Sequence, residues 1–177
     1  MDTQPFNITF PDMLEKPEED EFEPLIEEYD PVEMAYEMFY RTYGLHYPNK
    51  NIWTIQLGET MLSFDINDIF FIWNELPDLL TQSMNPSSQK WGVSFCFLEQ
   101  WTQLVLRVTE RDEHAVFVTV IDAYKNTEQP PIPISKKDFV TEWRAFAEHL
   151  VKLFVEHGFI AEDNLAIVNY FGRMPSV

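Results

Sequence analysis

The sequence predicts an α+β fold: an antiparallel sheet of about five strands with a long C-terminal amphipathic helix packed on one face. Three observations predict it. Segments 93–98, 103–109 and 115–123 alternate side chains with period two, as strands do. Residues 52–57 and 60–64 meet across Gly58-Glu59, a Gly-X pair that suits a two-residue type II′ hairpin turn. Between Lys136 and His157 the apolar residues Phe139, Trp143, Phe146, Leu150, Leu153 and Phe154 fall on one helical stripe.

The chain opens on an acidic segment broken by prolines, residues 1–30, ahead of a single α+β domain over residues 31–177. Between Met1 and Glu33 the only base is Lys16, and Pro5, Pro11, Pro17, Pro24 and Pro31 interrupt the stretch. It reads as an extended, irregular segment in which Phe6, Ile8, Phe10, Leu14, Phe22, Leu25 and Ile26 are candidate anchors. Asp30 then suits an N-cap, Pro31 a first helical position and Gly44 a stop. Met34 and Met38 are read onto one face with Ala35, Phe39 and Tyr43.

In the hairpin the register sets Leu57 against Thr60, Ile55 against Leu62 and Trp53 against Phe64. Every large apolar side chain except Met61 then lies on one face. Asp65 or Asn67 caps a second helix, which Pro77 kinks or splits. The strand 115–123 is apolar on both faces and is therefore placed centrally. Residues 126–133 are a Pro-rich connection. Ser135 and Asp138 start the long helix, Gly158 ends it, and a helical turn follows around Leu165 to Tyr170.

Composition narrows the function. The 177 residues are 45% hydrophobic and 15% aromatic, ample for a core. Twelve Lys and Arg against 30 Asp and Glu give a formal charge of −18. A field of that sign repels nucleic acid and anionic membranes and draws in basic protein surfaces. One cysteine, Cys96, rules out an intrachain disulfide and fits a reducing, cytoplasmic compartment. The first ten residues lack a signal peptide's basic and apolar regions. No window approaches the roughly 18 apolar residues of a membrane helix.

Motifs for chemistry are missing. The five glycines are too dispersed for a phosphate loop or dinucleotide fingerprint, and no G-x-S-x-G or H-E-x-x-H occurs. His149 and His157 lie eight apart rather than at the four-residue spacing of paired ligands, so no metal and no cofactor are expected. Cys96 alternates with Phe95 and Phe97 as a strand residue. Glu99, Glu110 and Asp112 sit at predicted strand ends, where solvated turns also sit. The chain is read as a binding protein, not an enzyme.

The residues 91–124 and the helix after them carry a resemblance. Phe95-Cys96-Phe97, Gln103-Leu104-Val105-Leu106-Arg107 and Val116-Phe117-Val118 precede a long amphipathic helix. This order resembles small acidic bacterial immunity-type proteins of polymorphic toxin systems. The match covers under half of the chain and transfers no functional residue. It implies an inhibitor that neutralises a basic toxin, for example a nuclease whose phosphate-binding site is electropositive. The competing expectations are a phage-type DNA-mimic or anti-defence protein, and an enzyme with an unrecognised site. The candidate partner-binding residues are Glu18, Glu19, Asp20, Glu21, Phe22, Glu23, Glu27, Glu28 and Tyr29 in the acidic segment. Glu99, Trp101 and Glu110 form a second candidate group.

Overall fold

A computed structural model describes residues 2–10, 30–44, 53–85, 92–97 and 103–176, apart from the side chains of Phe70, Phe71, Glu110 and Arg111. The fold is α+β, with two antiparallel sheets sharing one core. The five-stranded sheet contains β4 (Val93–Phe97), β5 (Leu104–Arg111), β6 (Ala115–Asp122), β7 (Thr127–Glu128) and β8 (Ile132–Ser135). β6 is central: β5 lies on one side, and β7 and β8 pair with its two ends on the other.

The hairpin β2 (Trp53–Leu57) and β3 (Thr60–Phe64) has the predicted register. Gly58 takes φ +60, while Glu59 is not among the positive-φ residues, as a type II′ turn requires. The hairpin does not join the larger sheet. It pairs with β1 (Phe6–Thr9) in a three-stranded sheet of its own. A single parallel bridge, Gln4 to Ile134, links the two sheets, with Gln4 N–H donating to Pro133 O at 2.7 Å.

Two strands depart from the expected connections. β1 has its own alternation, with Phe6 buried and Asn7 and Thr9 exposed. Four residues beside prolines and acids give that signal little length. β8 falls at the end of the Pro-rich connection. Pro133 fits there because β8 has no continuous partner on its outer side, so its missing N–H leaves no ladder bond unmade.

The helices follow local rules. Asp30 caps α1 (Pro31–Phe39) by accepting from Val32 N–H at 2.9 Å, and a π-helical turn, Tyr40–Gly44, closes it. The buried stripe is Val32, Ala35, Tyr36, Phe39 and Tyr43; Met34 and Met38 sit half-buried beside it. Asp65 caps α2 (Ile66–Trp73) in a reciprocal box. It accepts from Asn67 and Asp68 N–H while Asp68 accepts from Asp65 N–H. Pro77 stands in the first turn of α3 (Leu76–Met84), where its lost N–H is harmless, so the predicted helix is split in two.

The long helix α4 (Lys136–Glu156) organises the core. Its first half meets both sheets. Trp143 stacks on Phe95 of β4 at 5.3 Å, and Phe146 stacks on Trp53 of β2 at 4.9 Å. Its second half meets helices: Phe154 lies against Tyr36, Phe39 and Trp73. His157, at the C-cap, is within 2.9 Å of Tyr43 Oη. α5 (Leu165–Gly172) closes the chain, with Tyr170 stacked on Trp73 at 4.9 Å. Among the described residues no helix is long and apolar enough to cross a membrane.

Candidate protein interface

Glu18, Glu19, Asp20, Glu21, Phe22, Glu23, Glu27, Glu28, Tyr29, Glu99 and Trp101 all lie outside the described residues. Glu110 has its backbone in β5, opposite Phe117 and beside a register shift between Val108 and Glu110. Of the second candidate group, Glu110 alone has a described backbone. Asp112 serves its own turn. Its carboxylate accepts from the backbone of Ala115 and His114, and these bonds hold it below the usual carboxylate range.

The sequence did not single out the cleft between the sheets. It has a volume of about 380 Å³ and lies beside β3, with all of Thr60, Met61, Leu62 and Ser63 along one wall. Leu104 and Val120 face it from the larger sheet, and Leu62 and Val120 are buried. The Thr60 hydroxyl donates to Gln129 Oε1 at 3.4 Å and ties the hairpin tip to the residue after β7. At the rim Lys125 Nζ sits 2.9 Å from Asp122. This side-chain bond, with the Lys125 N–H, lowers the Asp122 pKa and raises that of Lys125.

Met61, in the cleft wall, is a large apolar side chain 58% exposed to solvent. Tyr124, between the lining residues Asp122 and Lys125 in sequence, is 81% exposed. A flexible Met and an amphipathic Tyr are side chains that protein contacts favour. The signal in sequence was Met61 itself, the one large apolar residue of the hairpin off its core face.

Among the described residues nothing pairs with the outer edge of β3 in the cleft. In a two-residue hairpin the residues flanking the turn exchange both hydrogen bonds. Leu57/Thr60, Ile55/Leu62 and Trp53/Phe64 are then the bonded pairs. Met61 and Ser63 fall between them and direct their N–H and C=O away from β2. β3 is the last strand of its sheet, and no described residue takes up those groups.

A second cleft, about 470 Å³, lies between α3 and the start of β4, where Glu75, Gln82, Ser94 and Arg107 converge. Cys96 is close to it and half-buried in β4. Burial, then the Glu75 carboxylate, push its thiol pKa up, against the pull of Arg107. The thiolate is thus scarce at neutral pH, contrary to what a nucleophile needs. Alkylation of Cys96 by iodoacetamide is expected to be slower than that of a free thiol at pH 7.5. It should accelerate only as pH rises above the ordinary thiol range; a plateau below pH 8 would contradict this. Among the described residues no three His, Cys, Asp or Glu side chains converge as metal ligands.

No family model matches the chain, and no curated protein and no solved structure matches it significantly.

Proposed function

We propose that this chain is an acidic protein-binding inhibitor, an immunity-type neutraliser that blocks a basic toxin domain. The observation that carries the reading is the cleft beside β3. Exposed Met61 stands in the wall of a cleft between the two sheets, on a molecule whose formal charge is −18. Charge of that size brings a basic partner in quickly, and aromatic and apolar anchors then set how long it stays. The acidic run Glu18, Glu19, Asp20, Glu21, Glu23, Glu27 and Glu28 is the densest charge in the sequence and the first candidate for steering.

The test is kinetic. The full chain serves as bait in its host, and association with the captured protein is measured at low and high salt. The partner should be basic. Reversing the charges of Glu18 to Glu23 should slow association about tenfold at low salt and much less at high salt, with dissociation little changed. A neutral or acidic partner, or an association rate indifferent to salt, would overturn the reading.

A further inference from the structure

The geometry points to strand addition: the cleft beside β3 receives an extended, basic segment of the partner, which pairs with the free edge of the hairpin. This rests on the protein-binding reading above and specifies its docking mode. The backbone groups of Met61 and Ser63 that face away from β2 form a hydrogen-bonding edge with no described partner. They span roughly 7 Å, the rise of two residues of strand, which a short extended segment matches. Exposed edges of this kind are templates for another chain unless they are blocked by proline, by charge or by a covering element. β3 carries no proline and no charged residue.

The side chains flanking that edge define the segment. Alternate residues of an added strand point to opposite faces. One set meets Leu104, half-buried in the cleft wall beside the buried Leu62 and Val120. The other meets solvent at the rim, where Asp122 and Lys125 pair and where Glu59 and Glu128 adjoin lining residues in sequence. Alternation of small apolar and basic residues satisfies both sides. A second copy of this chain is disfavoured as the occupant, because two molecules of charge −18 repel.

The experiment titrates the isotope-labelled full chain at low salt with a short peptide alternating lysine and valine. Two controls accompany it: the same peptide N-methylated at alternate residues, and a glutamate–valine counterpart. Expected are shifts and slowed exchange at the Met61 and Ser63 amides, roughly tenfold weaker binding on N-methylation, and no binding of the acidic peptide. Ser63→Pro removes an outward N–H that the β2 ladder does not use. It should abolish the lysine–valine response while leaving the far-ultraviolet dichroism unchanged. If this variant does not fold, the N-methylated peptide on the natural chain decides.

Equal binding of both lysine peptides, with shifts away from β3, would overturn strand addition and leave the acidic-binder reading standing. No binding of any lysine peptide would overturn both. Protection of Met61 and Ser63 that rises with protein concentration alone would make the occupant a second copy and overturn the proposal.

Discussion

Phe146→Ala is expected to lower the free energy of unfolding by about 3–5 kcal/mol. Phe146 is buried, at 4% exposure, and joins α4 to the hairpin and to the segment just after β1. Its ring stacks on Trp53 of the hairpin at 4.9 Å, meets Trp143 edge-on at 5.8 Å and meets Phe10, just after β1, at 5.9 Å. Truncation removes the buried ring area and leaves a cavity that two tryptophans cannot easily fill. Each aromatic pair adds about 0.5–1.5 kcal/mol beyond area. A domain of this size has about 5–15 kcal/mol in total, so the loss is a large share of it. Urea unfolding should show a lower midpoint with unchanged slope. A cost below about 1.5 kcal/mol would mean that this ring does not hold α4 to the three-stranded sheet.

The second large effect is expected at Gly92, compared with Gly158. Both have positive φ, +80 and +73. At Gly158 an added Cβ meets nothing within 4 Å, so alanine there incurs only the backbone penalty, about 1–2 kcal/mol. At Gly92 the same Cβ would lie 2.4 Å from Val108 O, a backbone atom held in the β4–β5 ladder. The strand pair must shift to admit it. Gly92→Ala is therefore expected to cost about 1–3 kcal/mol more than Gly158→Ala, the usual range for overpacking. Thermal unfolding of the two variants side by side measures the difference. Equal costs would show that the β4–β5 pairing yields without penalty.

Much of the fold was legible because long elements repeat their signal. α4 spells its stripe over 21 residues, β4 and β5 alternate clearly, and β6 shows its central place by being apolar on both faces. The hairpin was legible because Gly58 and the alternation agree. Its partner was not: pairing of Phe6–Thr9 with β2 is a contact between segments with no shared local pattern. β7 and β8 were hidden by brevity and by Pro133. The candidate interface was less legible still. Met61 was visible as an exception to a pattern, but nothing local shows that Leu104, Val120 and Lys125 come to the same place. The acidic clusters drew the eye because charge is countable along a chain, whereas a cleft exists only after two sheets meet.

The pairing of β1 has a consequence for how the chain is made. Ile8 N–H donates to Glu142 across a sequence separation of 134 residues, and Phe6 is covered by Phe139 and Trp143. A ribosome adding about 5–20 residues per second delivers those partners roughly 7–27 s after the strand. The β2 strand that pairs with β1 is made earlier, but throughout that interval Phe6 and Ile8 lack the α4 groups that meet them in the fold. The residues that follow β1 in sequence, prolines and carboxylates from Pro11 to Asp30, are the kind that keep such a strand from pairing with its neighbours on other ribosomes.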